Sequence, residues 1–199
     1  MRPRIDQNQR NALILERSRA LFSKLGYPEV SLMLIAKRCG LSRTALYRYC
    51  KSKRDIFDKV VIDLAQQLGV EFKTFIATHP DLKASDKIRM VMHRVVEVMG
   101  ENIGLLNAIT EYLIDQQRRG ESVTHRVRRH TVTLRYALIR LIREGVANGE
   151  FQEAPCKLVG DMLFAQLEAA ALQIAVTETM NMETLKKSID MFLICLKAK

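Results

Sequence analysis

An all-α fold of about nine helices is predicted for this 199-residue chain, and three observations carry that prediction. Prolines number only four and glycines nine, long windows contain neither, and apolar residues return at helical spacing along most of the sequence. The few breaks assign residues 1–55 to an N-terminal three-helix domain and residues 56–199 to a C-terminal helical domain.

Taken in order, residues 1–7 are polar and basic and read as an arm ahead of the first helix. That helix runs from near Asn8 to Leu25, with Leu13, Ala20, Leu21 and Leu25 recurring at helical spacing. Gly26 can take the left-handed conformation that ends it. Ser31 offers an N-cap to a short helix ending near Cys39, because its hydroxyl can accept from a free amide of the first turn. Gly40 breaks that helix, and Ser42 caps the next to about Tyr49. Ser52 followed by Asp55 is a capping-box-like start, with aspartate in place of glutamate. The long helix it opens continues towards Thr78 and is shared by both domains. Beyond His79-Pro80, helical patterns cover roughly 84–101, 103–119, 122–148, 156–177 and 182–197, split at Gly104, Gly120, Gly149 and Pro155. None of these breaks is long enough to be a flexible linker.

Charge separates the two parts. Of 32 basic residues 14 fall within residues 1–60, against 5 of 22 acidic ones, so nearly all of the net +10 lies in the first third. A polyanion touching only that segment accounts for the asymmetry, since Lys and Arg displace the counterions condensed on phosphates. Solubility is the plainer alternative. Cys39, Cys50, Cys156 and Cys195 lie far apart and suggest neither a zinc site nor a disulfide framework. Reduced, mostly buried thiols and a cytoplasmic location follow as expectations. No apolar run near the N-terminus suggests a signal peptide, and Leu158–Val176, interrupted by Asp161, Gln166, Glu168 and Gln173, reads as too polar to span a bilayer.

The informative segment is Ser31 to Tyr49. Ile35 and Ala36 form an inner face, Gly40 makes a tight turn, Leu41 plugs the angle and Leu46 anchors the second helix inward. Two helices at a steep angle joined by a short glycine-containing turn are helix-turn-helix grammar. The outer face of the second helix presents Arg43, Thr44, Tyr47 and Arg48, and the surface from Ala36 to Arg54 carries no acid. Arginine can bind guanine bidentately in the major groove, while threonine and tyrosine hydroxyls reach bases or phosphates. Lys53, in the first turn of the next helix, combines an ammonium with free backbone amides and suits a phosphate.

The run Ile14 to Phe22, then Gly26-Tyr27, Ile35-Ala36, Gly40-Leu-Ser42, Leu46-Tyr-Arg-Tyr49 and Lys51 to Phe57 resembles the N-terminal domain of TetR/AcrR-type transcriptional regulators. The resemblance spans about 45 residues and keeps helix, turn, helix and the start of the fourth helix in register. Beyond it, only the helical layout is similar, with a weak echo at Leu141 to Phe151. It implies that Tyr47, Tyr49 and Lys53 hold phosphates with Ser31, and that Arg43, Thr44 and Ala45 face base edges. Ser42 and Arg48 complete the expected DNA-binding set. Cys50 stands where phenylalanine is usual, Cys39 where alanine is common and Thr44 where glycine is frequent, so base preference does not transfer.

The last two helices hold more apolar residues than one stripe requires. A second copy covering them would give a two-fold, four-helix interface, with Leu163, Leu167, Ala170, Ala171, Ile174, Ile189, Phe192 and Leu196 as its residues; a monomeric core is the alternative. In the resembling family the region 84–148 encloses an inducer. Candidate lining residues are Met90, His93, Met99, Asn107, Glu111, Tyr112 and Tyr136, with Phe164 and Glu168 from the next helix. Each also reads as ordinary packing, and His93 with Glu97 as a solvated i, i+4 pair. Arg118, Arg119, Arg126, Arg128, Arg129, Arg135, Arg140 and Arg143 read as a solvated basic face, open to an anionic ligand or a second DNA contact.

Catalytic signatures do not appear: no Gly-rich phosphate loop, no Gly-x-Ser-x-Gly, no His-Glu-x-x-His and no Glu-x-x-His pair. His125 and His130 are five apart and share a helix face poorly. No cofactor, metal or membrane partner is implied. The sequence therefore predicts a ligand-responsive transcriptional regulator, in its simplest form a repressor, that binds a palindromic double-stranded operator as a homodimer and is released by a small-molecule inducer. An architectural DNA-binding protein without ligand control is the alternative, and a helical-bundle enzyme the more distant one.

Overall fold

The computed structural model describes residues 7–121, 124–177 and 181–198, the side chains at 122–130 and 176–180 excepted. Residues 1–6 of the expected arm, His125, His130, Arg126, Arg128 and Arg129 thus fall outside the described residues or side chains, while Gln7 already belongs to the first helix. Among the described residues there are nine helices and no strand. They are α1 (Gln7–Glu29), α2 (Leu32–Cys39), α3 (Arg43–Tyr47), α4 (Lys53–Thr78), α5 (Ala84–Glu101), α6 (Ile103–Arg118), α7 (Thr124–Ala147), α8 (Cys156–Thr177) and α9 (Met182–Leu196).

The chain forms two compact units. The first gathers residues 1–66 and 104–123, the second residues 67–103 and 124–199, so the division falls inside α4.

In the first unit, α1 buries Ile14, Ser18 and Phe22 and bends at Gly26, whose φ of 76° is open to glycine at little steric cost. Helical residues resume for Tyr27 to Glu29 beyond the bend. The bend admits the Glu111 carboxylate, which accepts from the Tyr27 amide at 2.9 Å. A Cβ at residue 26 would lie 2.6 Å from Glu111 Oε2. The core continues through Ile35, Ala36, Leu46, Cys50, Ile56, Phe57 and Val60, and α6 completes it with Leu105, Ala108 and Tyr112. Tyr27, Phe57 and Tyr112 meet with ring centroids 4.7 to 5.1 Å apart, and Phe22 lies edge-on to Phe57 at 4.8 Å. Such tilted contacts suit the ring quadrupoles. Burial pushes the Tyr112 hydroxyl pKa up to about 12, so it stays a neutral donor.

In the second unit α7 packs on α5 and α8, and α9 packs on α5 and α8. Gly160 allows the approach of α8 to α7, since a Cβ there would sit 2.6 Å from Ile139 Cγ1. Glu150 caps α5 by accepting from the Ala84 and Ser85 amides at 2.7 and 3.0 Å. Beside it the chain end closes a single antiparallel bridge, Phe151 to Lys197. Lys87, almost wholly buried, donates to Pro80 O at 3.0 Å and to Glu144 Oε1 at 2.8 Å.

Two sequence expectations need revising. By length and composition Cys156–Ala175 does qualify as a membrane-crossing helix; its interrupting polar residues do not disqualify it. Its packing explains the composition instead, since Leu163, Leu167, Ala170 and Ile174 are buried within their own unit. Of the four free cysteines only Cys50 is fully buried, and Cys195 is exposed.

Candidate nucleic-acid interface

The helix-turn-helix is built by backbone devices. Ser31 Oγ accepts from the Leu34 amide at 3.2 Å, starting α2. At its end Gly40 adopts φ 65°, where its amide reaches Lys37 O at 3.2 Å and the Leu41 amide reaches Ala36 O at 2.9 Å. This left-handed turn satisfies carbonyls the helix would otherwise leave free. Ser42 Oγ accepts from the Ala45 amide at 3.1 Å and starts α3. Leu46 is 1% exposed and pins α3 inward.

With Leu46 inside, Arg43, Thr44, Tyr47 and Arg48 lie on the exposed side, and Ala45 and Tyr49 are half-buried. Arg43 Nη2 donates to Tyr47 Oη at 3.2 Å, with the guanidinium 5.6 Å from the ring centre. The pair is thereby partly ordered, and the guanidinium keeps further N–H donors. Ser31 and Ser42 are exposed but their hydroxyls serve as caps. The α3 helix ends at Tyr47, shorter than the span to Tyr49, and its last turn tightens, the Arg48 and Tyr49 amides donating three residues back to Ala45 O and Leu46 O at 3.4 and 2.8 Å.

Lys53 is placed differently from a freely extended phosphate ligand. Its Nζ donates to Tyr27 O at 2.9 Å and Pro28 O at 3.0 Å and sits 4.5 Å from the Tyr27 ring centre. Burial lowers its pKa, while Asp115 and Glu29 act to hold the charge. Asp55 Oδ2 reaches the Lys51 amide at 2.7 Å, one residue before the position a capping box prescribes.

Sequence reasoning left out part of the basic surface. Lys37 and Arg38 are exposed at the end of α2, just before the turn, and Arg17 Nη1 donates to Arg38 O at 2.8 Å. The seven-residue spacing of Arg10, Arg17 and Lys24 was the available signal for a basic stripe on α1.

The residues suggested for a ligand pocket are divided between the two units. Asn107, Glu111 and Tyr112 belong to the first unit and the rest to the second. Glu111 holds the Gly26 bend and Tyr112 the aromatic core; Asn107 Oδ1 is buried without a partner among the described residues. Met99 is buried, Phe164 packs under the Arg135 guanidinium at 5.4 Å, Glu168 is exposed and Tyr136 is 69% exposed. Met90 and His93 share a groove of about 620 Å³ between α4 and α5. His93 does not pair with Glu97: its Nε2 lies 3.1 Å from Asp190 Oδ1, at an angle too poor for a hydrogen bond, and Glu97 takes Lys186 at 2.8 Å.

The α8 and α9 faces also turn out differently. Leu163, Leu167, Ala170, Ile174, Ile189 and Leu196 point into their own unit, and only Ala171 and Phe192 of the proposed interface residues are partly exposed. The apolar surface left outside is Leu158, Met162, Ala165, Ala169 and Leu172 on α8, one stripe at helical spacing, with Met191 and Ile194 on α9. Of the described arginine side chains in the basic tract, Arg119 pairs with Asp115 and Arg135 with Asp161, while Arg118, Arg140 and Arg143 are exposed.

Residues 14–60 match the bacterial regulatory proteins of the tetR family. The nucleoid occlusion factor SlmA of Vibrio campbellii is 26% identical over 141 residues, 69% of this chain and 71% of that protein. The uncharacterized HTH-type transcriptional regulator YfiR of Bacillus subtilis is 26% identical over 152 residues, covering 73% of this chain and 70% of that one. Among solved structures, a TetR transcription regulator from Haloarcula marismortui superposes with a TM-score of 0.81 at 19% identity, over 96% of this chain and 99% of that one. FadR from Bacillus subtilis, solved with stearoyl-CoA, gives 0.74 at 18% identity over 92% and 97%. The exposed α3 on its capped scaffold and the match over 14–60 define a helix-turn-helix DNA-binding protein. Over residues 14–60 the chain carries the N-terminal DNA-binding domain of the tetR family, and in the remainder it is similar to TetR-family regulators in fold.

Proposed function

We propose that the protein is a homodimeric repressor that reads a palindromic operator through α3 and is released by a small molecule bound in its C-terminal domain. Residues 1–55 carry the DNA contact and residues 56–199 the ligand and dimer functions. The observation that carries this reading is the exposed donor face of Arg43, Thr44, Tyr47 and Arg48, fixed by the buried Leu46 and bordered by Lys37 and Arg38. Arg43, Thr44 and Ala45 face base edges, and Ser31, Ser42, Tyr47, Arg48, Tyr49 and the remaining Lys53 proton face phosphates.

Dimerisation is supported by the outward stripe of Leu158, Met162, Ala165, Ala169 and Leu172, an apolar surface that a second copy related by two-fold symmetry would cover. Paired reading helices then engage half-sites about 34 to 36 Å apart. Ligand binding favours a shape of the body that spoils this spacing, so ligand and DNA weaken one another equally. Neither the DNA nor the regulatory step calls for catalysis, and the protein acts in the cytoplasm.

Selection of bound fragments from random double-stranded DNA tests the reading. A recovered palindrome with half-site centres about one helical turn apart is the expected result. Recovery of DNA with no common sequence would point to an architectural protein instead.

A further inference from the structure

Given the DNA contact proposed above, on which this rests, we infer that Tyr47 is a positioning residue for Arg43 and that the pair reads a guanine in each operator half-site. Arg43 is the first residue of α3, Tyr47 stands one turn behind it, and the buried Leu46 fixes which way both face. Side chains of a helix lean towards its N-terminus, so the Tyr47 ring is carried back over the Arg43 turn. There Arg43 Nη2 donates to Tyr47 Oη at 3.2 Å, with the guanidinium 5.6 Å from the ring centre. A hydrogen bond and a ring face together restrain the rotation of the fork. No acidic residue occurs from Ala36 to Arg54, so none of its neighbours in sequence competes for it.

The brace leaves a reading edge intact. A guanidinium has five N–H donors, and Nη2 gives one of its two protons to Tyr47. Whichever proton that is, a complete two-proton edge remains: either the facing Nη protons, or Nε–H with the other Nη2 proton. In the major groove only guanine sets two acceptors, N7 and O6, side by side to match such an edge. Adenine pairs an acceptor with a donor, and thymine and cytosine offer one polar atom each.

Phosphate oxygens also fit a fork, but a phosphate gains little from one aimed in advance, because a freely moving cation meets it as well. Lys37, Arg38 and Arg48 are cations of that kind, exposed and with no such ring beside them among the described residues. Arg43 is the one that a base contact suits. The Tyr47 hydroxyl, which accepts from Arg43, keeps its own proton for a phosphate, so a single ring ties the base contact to the backbone contact.

The test compares the full-length parent, Arg43→Ala and Tyr47→Phe on an operator selected from random double-stranded DNA, on its single-base variants, and on the operator carrying 7-deazaguanine. That base pairs normally but lacks the N7 acceptor. Tyr47 is 44% exposed and phenylalanine keeps the ring, so the variant folds, and thermal melting confirms it. One guanine of the half-site should lose its preference in Arg43→Ala. At that guanine Tyr47→Phe should reduce discrimination by about fivefold, the scale of one hydrogen bond, and leave the ratios at other positions unchanged. Placing 7-deazaguanine there should weaken the parent by about fivefold or more, and Tyr47→Phe by less, its fork no longer being aimed. If Tyr47→Phe lowers affinity for every sequence equally, the hydroxyl serves a phosphate alone and the brace is overturned. A shared palindrome with no guanine under the control of Arg43 overturns the base assignment and leaves the operator reading standing, whereas DNA with no common sequence overturns both.

Discussion

Replacing Lys53 by methionine separates two roles that the same ammonium can fill. Its Nζ has three protons; two are given to Tyr27 O and Pro28 O, at 2.9 and 3.0 Å, and one remains for a DNA phosphate. Methionine keeps the apolar stem near the Tyr27 ring and removes the donors. Hydrogen bonds from a charged donor contribute about 1.5 to 3 kcal/mol each, but Lys53 is half-buried and desolvation offsets part of that, leaving about 2 kcal/mol for the pair. For a chain of this length, about 2 kcal/mol corresponds to a fall in Tm of about 4 to 8 °C. Loss of one phosphate contact also lowers the slope of log K against log salt by about 0.9. Calorimetric melting and DNA titration at several salt concentrations read the two effects independently. An unchanged Tm would refute the clasp on α1, and an unchanged slope the phosphate contact. The pH dependence has a definite sign: burial depresses the folded pKa, so the unfolded chain binds more protons in the alkaline window between the two values. The parent should gain stability relative to Lys53→Met as pH rises through that window.

Arg43→Ala should change sequence preference by about 1 to 3 kcal/mol at one position of the half-site while leaving other positions alone, read by competition between single-base operator variants. Glu144→Ala leaves the buried Lys87 ammonium with Pro80 O as its remaining acceptor of those seen here, and should cost about 2 to 3 kcal/mol in urea unfolding, Glu144 itself being a third exposed. Lys87→Met in the same background should recover most of that loss, because an apolar chain of similar length needs no partner. Leu172→Glu, on the outward stripe of α8, should leave the fold intact by circular dichroism and give a monomer in sedimentation velocity; a dimer of parental stability would remove that face from the interface.

What was legible in the sequence was what neighbouring residues decide among themselves. Ser31, Gly40 and Ser42 set helix starts and a turn through bonds spanning three to five residues, and the structure has each in that role. Gly26 was recognisable as a break, but the chain resumes helical turns after it because Glu111, 84 residues away in sequence and absent from any local pattern, holds the Tyr27 amide. Lys53 carried the right charge for a phosphate, yet the carbonyls that hold it belong to the end of another helix. The residues of the proposed interface were the least legible. When a helix is apolar all round, composition cannot say which stripe its own unit buries; Leu163, Leu167, Ala170 and Ile174 are the buried ones, and Leu158, Met162 and Leu172 are left outside.

Order along the chain also hides where α6 belongs. It follows α5 and precedes α7, so the sequence groups it with the C-terminal helices, whereas its side chains complete the compact unit that holds the helix-turn-helix. Gly104 explains the closeness: a Cβ there would lie 2.1 Å from Ser23 O, so the start of α6 runs against the backbone of α1. Within that unit the end of α1 is gripped from two sides, the Tyr27 amide by Glu111 of α6 and the Tyr27 carbonyl by Lys53 of α4. A displacement of either helix pulls on the same peptide, and α1 in turn packs on α2, the helix that supports α3. Ligand control of DNA reading, as proposed, therefore needs no long chain of intermediates. A shift of α6 or α4 acts on one residue whose amide and carbonyl are both already held.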